Sequence, residues 1–161
     1  MGGIITLPIS CSMYHGHSKK LEWALRDFIT SNDGTYYDDE IENGIISCYF
    51  KLDNEICVEQ KVNIRKYDYL CYTTLSCYVN PDNKENIARY VQIANAINLE
   101  IDNGHFEVNF RTGEILFKSC YEPDDKVCNR GLFKLLVHPR KIIKKFGYCF
   151  LMLTDEKLGD I

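Results

Sequence analysis

Apolar residues recur along this chain at two spacings, and the switching between them outlines a fold. Leu21, Leu25, Phe28 and Ile29 repeat at helical intervals behind Ser18, whose hydroxyl suits an N-cap, so a first helix is expected over 19–30. Ser31-Asn32-Asp33-Gly34 stops it, and Trp23 falls off its apolar stripe. Ile46, Cys48, Phe50 and Leu52 then alternate with other residues, as do Ile56, Val58, Val62 and Ile64, which marks two half-buried strands. A two-residue turn at Asp53-Asn54 would send the two apolar sets to opposite faces. A three-residue loop over 53–55 pairs Leu52 with Ile56 and gathers both sets on one face. That register sets Cys48 opposite Gln60 and Cys57 opposite Lys51, on opposite faces, so no bridge joins Cys48 to Cys57. A third strand over 67–79 shows Tyr69, Cys71, Thr73, Leu75, Cys77 and Val79 on one face.

Asn80-Pro81 reads as the opening of a second helix, with Asn80 as N-cap and Pro81 in the first turn. Ile87, Tyr90, Val91, Ala94 and Ile97 form its buried stripe. A second hairpin follows, in which Phe106, Val108 and Phe110 face the same way as Ile115, Phe117 and Ser119. A four-residue loop over 111–114 pairs Phe110 with Ile115, Val108 with Phe117 and Glu107 with Lys118, and it sets His105 opposite Cys120. Leu132, Phe133, Leu135 and Leu136 fit a short helix that ends near Pro139. Pro139 starts another, with Ile142, Ile143, Phe146, Cys149, Phe150 and Leu153 on its apolar side and Arg140, Lys141, Lys144 and Lys145 on its polar side. The order is α-βββ-α-ββ-α, an α+β fold in which helices pack on one side of an antiparallel sheet. One domain over 18–161 is expected behind a poorly ordered N-terminal extension, 1–17.

Composition fits that reading. The 161 residues are 45% hydrophobic and 26% charged, as in an ordinary globular domain. The net charge of -4 argues against a general nucleic-acid binder. No apolar run is long enough to span a membrane. Eight cysteines without a C-x-x-C pair point to free thiols in a reducing, cytoplasmic compartment rather than to a disulfide scaffold or a zinc ribbon. The opening residues lack the basic start of a signal peptide. Met1 to Thr6 matches the loose myristoylation pattern M-G-x-x-x-[ST].

Candidate chemistry is sparse. Cys11, His15 and His17 can supply three metal ligands with no fourth nearby, and no metal or other cofactor is expected. His105 opposite Cys120 would place an imidazole beside a thiol, the arrangement of a thiol-dependent enzyme or redox sensor, but no orienting third group is evident. The run Arg140, Lys141, Lys144 and Lys145 lacks interleaved aromatics and reads as a solvated helix face. Asp38, Asp39, Glu40 and Glu42 lack the spacing of a calcium loop.

The stretches Asn86-Ile87-Ala88-Arg89-Tyr90-Val91, Asn95-Ala96-Ile97-Asn98, Gly104-His105-Phe106-Glu107-Val108 and Gly113-Glu114-Ile115-Leu116-Phe117 resemble the middle of the YbjN family. The shared features are a helix with a late asparagine, a G-x-F strand start and a G-E-[IV]-x-[FY] return strand. The resemblance implies a type III secretion chaperone-like fold, a small acidic homodimer and a regulatory or chaperone-like role without catalytic residues. The expected function is therefore non-catalytic: recognition of a protein or peptide partner through an apolar surface or a sheet edge, with no nucleic acid and no membrane involved. Tyrosine joins an apolar ring to a polar tip, and the 11 tyrosines favour such an interface. Trp23, Tyr49, Tyr72 and Tyr78 are its candidate contact residues, with Tyr36 and Tyr37 beside them. The alternative is the thiol site, Cys120 with His105.

Overall fold

The computed structural model describes residues 16–51, 57–78 and 80–155, with side chains for all of these except 57, 76–78 and 153–155. The loop 53–55, Leu52, Ile56, Val79, Cys11, His15 and the Met1–Thr6 pattern lie outside the described residues. So do the side chains of Tyr78, Cys77 and Leu153.

Ser18 accepts a hydrogen bond from the Leu21 amide (3.3 Å) and opens α1, Lys19–Ser31. The chain leaves α1 through Asn32 and Asp33, whose φ of 55° turns it left-handed, and Gly34 N–H closes on Ile29 O at 2.9 Å. A Cβ at position 34 would stand 2.8 Å from the Ile29 side chain, so the turn requires glycine. Three strands follow: β1, Ile45–Lys51; β2, Cys57–Ile64; and β3, Tyr69–Tyr78. The register of the first hairpin is the expected one, with Cys48 opposite Gln60 and Lys51 opposite Cys57.

Helix α2 spans Lys84–Asn98 and begins three residues beyond Pro81. Its N-cap is Asn83, which accepts from the Asn86 amide at 3.1 Å. Asn80 spends its side chain on the Asp82 amide (3.0 Å) and its carbonyl on the Asn83 amide (3.1 Å), so it closes a turn ahead of the helix.

Strands β4, His105–Val108, and β5, Glu114–Tyr121, form the second hairpin, in a register two residues away from the expected one. Phe106 faces Phe117, Val108 faces Ile115, and His105 faces Lys118. The cause is Asn109. Its side chain accepts from the Arg111 and Thr112 amides (3.0 and 3.3 Å), and its carbonyl accepts from Gly113 (2.7 Å). This turn starts ahead of Phe110 and expels it from the strand, leaving it 61% exposed.

The sheet order is β1-β2-β3-β5-β4, with antiparallel neighbours throughout. Ile46, Val58, Phe106 and Phe117 are buried beneath the helices, as expected.

Helix α3 runs unbroken over Asn129–Asp155 with Pro139 inside it. Proline has no N–H to offer the carbonyl four residues back, which is why a break was expected there. The sheet supplies the missing donor. Ser119 Oγ donates to Leu135 O (3.3 Å), and Gln60 Nε2 donates to Leu136 O (2.9 Å). Gln60 also bonds Thr73 Oγ1 (3.2 Å) and accepts from Arg140 Nε (2.8 Å). Gln60, Thr73 and Ser119 are all buried, and their polar groups are satisfied at this seam. The seam divides two apolar cores. One holds Leu25, Phe28, Ile46, Val62 and Tyr69 against Leu132, Leu135 and Leu136. The other holds Ile87, Tyr90, Phe106 and Phe117 against Ile143 and Phe150. The two halves of α3 therefore serve different cores, with the proline between them.

Candidate partner-binding face

Strand alternation sends every second side chain away from the helices, and those side chains make the outer face of the sheet. Cross-strand pairing arranges them in rows. Ser47, Lys61, Tyr72, Lys118 and His105 form one row across all five strands, and Tyr49, Glu59, Thr74, Leu116 and Glu107 form the next. No helix covers this face among the described residues.

The Tyr49 hydroxyl donates to Glu59 (2.8 Å), and its ring meets Tyr37 edge-on with centroids 5.4 Å apart. The hydrogen bond to the Glu59 carboxylate raises the Tyr49 phenol. Lys61 donates to Glu40 (3.0 Å), and that contact raises the Lys61 ammonium. Lys118 lies over the Tyr72 ring at 5.8 Å. Glu107 takes His105 at 2.7 Å and Lys118 at 3.5 Å. Burial pushes its carboxyl up, and the His105 and Lys118 contacts more than offset this, leaving it below the usual carboxylate range. At the β1 end, Tyr37, Tyr49, Ser47, Glu59 and Lys61 line a hollow of about 590 Å³. The outer face thus carries aromatic rings held beside charged neighbours, with apolar area and polar groups on the same surface.

The expected contact residues do not share one surface. Tyr49 and Tyr72 lie on adjacent rows of the outer face. Trp23, 70% exposed, belongs to the helix layer, where it lines a hollow of about 480 Å³ with Arg26, Thr30 and Tyr36. Tyr36 also turns to the helix side, taking Arg26 Nη1 at 3.1 Å. Of the outer-face charges, Glu107 and Lys118 are read from the sequence as a pair, and Glu59 and Lys61 are not. Glu59 and Lys61 stand at alternate positions of β2, so their signal lies in the same alternation that locates the core.

The thiol pair is not assembled. His105 faces Lys118, and Cys120 faces Leu70 with its sulfur 4.0 Å from Asp68. Burial and Asp68 both raise the Cys120 thiol. The cysteine favoured by its surroundings is Cys128, exposed just ahead of α3. The Tyr121 hydroxyl donates to its sulfur (3.4 Å), and this bond together with the Gly131 and Arg130 amides lowers its pKa. The apolar pattern starts the short helix ahead of Pro139 only at Leu132, whereas α3 begins at Asn129 and so sets Cys128 at a helix terminus. Cys48 is pushed up by burial, and Cys71 is pushed up to about 12 for the same reason.

His17 is seated against the chain rather than loose in a tail. Its Nε2 meets the Glu22 carboxylate at 2.5 Å. Glu22, itself buried, also takes Lys19 (2.8 Å) and Arg26 (3.0 Å). Burial raises the Glu22 carboxyl, but Lys19, His17 and Arg26 outweigh it and bring it down to about 2. Arg26 continues to Asp38 (2.9 Å), tying α1 to the segment that leads into β1. Among the described residues no group of three or more His, Cys, Asp or Glu side chains is placed to hold a metal ion. Within the basic run, Arg140 turns inward to Gln60 and stacks on Phe50 (5.0 Å), so it leaves the solvent face. No helix among the described residues is long and apolar enough to cross a membrane.

No protein-family model matches the chain, and no curated protein matches it. A solved structure does: the crystal structure of YbjN from E. coli, a candidate transcription regulator by its description. The TM-score is 0.56 and the identity 11%, over 78% of this chain and 87% of that one. The fold is therefore YbjN-like.

Proposed function

We propose that the chain is a non-catalytic, YbjN-like regulatory module that recognises a partner polypeptide through the outer face of its sheet. The observation that carries this reading is the open lattice around Tyr49 and Tyr72, with Tyr37 at its margin and no helix over it among the described residues. The YbjN-like fold supports a regulatory rather than a catalytic role, and the free thiols of the described cysteines suit a reducing, cytoplasmic setting. A homodimer belongs to the same reading.

The test is site-specific photo-crosslinking. A benzophenone side chain at position 72 or 49, in tagged protein incubated with native lysate, yields one discrete adduct with another polypeptide. The same group at Arg89, on the exposed side of α2, yields none. Equal labelling from all three positions, or none from the outer face, overturns the proposal. Light scattering on the purified protein reads the oligomeric state separately.

A further inference from the structure

The outer side of α3 carries a stripe of positive charge on a chain that is acidic overall. Arg130, Lys134, Lys141 and Lys145 recur at separations of four, seven and four residues, so they share one side of the helix, with Lys144 beside them. At 1.5 Å per residue the stripe is about 22 Å long. None of these five cations reaches an acidic side chain among the described residues, and α3 has no acidic residue before Asp155. Exposed apolar groups interleave with the charges: Phe133 (43% exposed), Tyr148 (40%) and Met152 (67%). Lys141 lies over the Phe133 ring at 5.1 Å. Dividing the helix at Pro139 separates Phe133 from Lys141 in the sequence pattern, and the unbroken α3 brings them together.

The geometry points to α3 as a second docking surface, whose occupant is an acidic, amphipathic polypeptide segment. A linear array of cations with no acidic partner among the described residues calls for a linear array of anions. The apolar groups within it call for a partner that also presents apolar side chains, which a phosphate backbone does not. The strongly acidic remainder of the chain repels a dense polyanion more than it repels spaced carboxylates. This surface shares no residue with the outer face of the sheet, so the two readings stand or fall separately.

The test is fluorescence anisotropy on the full chain with three labelled probes. They are a 20-residue peptide with Glu and Asp on one helical face and Leu and Phe on the other, the same peptide with Lys replacing its acids, and a 20-nucleotide oligothymidylate. The acidic peptide binds, and Lys141→Glu with Lys145→Glu weakens it at least tenfold. In the same double variant the Lys peptide gains affinity. Tyr49→Ala with Tyr72→Ala leaves the acidic peptide's affinity unchanged. The positions reversed are exposed, and circular dichroism checks that the variant is folded. Unchanged affinity after charge reversal overturns the inference, as does failure of the acidic peptide to bind. Tighter binding of the oligothymidylate overturns it in favour of a nucleic acid. Loss of binding only in the tyrosine variant returns the peptide to the sheet face.

Discussion

The Asn98 carboxamide pairs with the backbone of Phe106 as a neighbouring strand would. Phe106 N–H donates to Asn98 Oδ1 (2.7 Å), and Asn98 Nδ2 donates to Phe106 O (3.0 Å). β4 is an edge strand, and an open edge invites pairing with other chains. The last residue of α2 therefore both closes that edge and fixes the helix to the sheet. Asn98→Ala removes both bonds and is expected to cost about 1–3 kcal/mol, read from urea unfolding. Amide exchange at Phe106 should accelerate in the same variant. An unchanged midpoint with unchanged exchange would show that the pairing contributes nothing.

The seam at Pro139 makes a coupled prediction. Ser119→Ala should cost about 1 kcal/mol, since Leu135 O then has neither the serine hydroxyl nor a helical N–H. Pro139→Ala restores that N–H. In the Pro139→Ala background the Ser119→Ala penalty should shrink by about 0.5 kcal/mol or more, a coupling that a double-mutant cycle measures directly. Strict additivity of the two substitutions would show that the hydroxyl does not stand in for the missing amide.

These two relationships also show where sequence reading reaches its limit. The first hairpin was legible because a one-residue slip would have thrown Ile46 or Val58 to the wrong face, so burial alone chose the register. The second was misplaced by two residues, and a pattern of period two cannot detect such a shift: Phe106 and Phe117 stay buried in either register. What decides it is the Asn109 side chain in the turn, a local bond with no periodic signature. The His105–Cys120 pairing rested on that register and fell with it. The break at Pro139 was sound chemistry drawn from a single element. Its remedy comes from Ser119 and Gln60, on strands far away in the chain, which only the fold brings near. The late asparagine singled out at position 98 was visible as a motif, but its work on β4 was not. Tyr49 and Tyr72 share the outer face of the sheet, whereas Trp23, grouped with them by residue type alone, lies in the helix layer.

Glu22 gives the chain an acid-sensitive tie. Its carboxyl is brought from 4.5 to about 2 in the folded protein, so the folded state binds its proton less readily than the unfolded one. The stabilisation is complete above the unfolded value and is lost as pH falls from about 5 toward 2. Glu22→Gln should lower stability at pH 7 by about 1–3 kcal/mol, because His17, Lys19 and Arg26 lose their common anion. It should also flatten the fall in unfolding midpoint between pH 5 and 2. An equally steep acid limb in the variant would place that sensitivity elsewhere.

Cys128 should be the most reactive of the described thiols. The Tyr121 hydroxyl and the first amides of α3 favour its thiolate, whereas burial disfavours that of Cys48 and Cys71, and burial with Asp68 disfavours that of Cys120. A timed iodoacetamide reaction at pH 7.5, read by peptide mass spectrometry, should label Cys128 ahead of Cys48, Cys71, Cys120 and Cys149. Tyr121→Phe removes the phenolic donor and should slow Cys128 severalfold. Its ring still packs on Gly131, where a Cβ would meet it at 2.1 Å, so the start of the helix stays in place. His105→Gln should change neither Cys128 nor Cys120. Faster labelling of Cys120 than of Cys128 in the unmodified chain would overturn this ranking, and a Cys120 rate that drops in His105→Gln would mean that the imidazole reaches the thiol and that the β4–β5 register moves in solution.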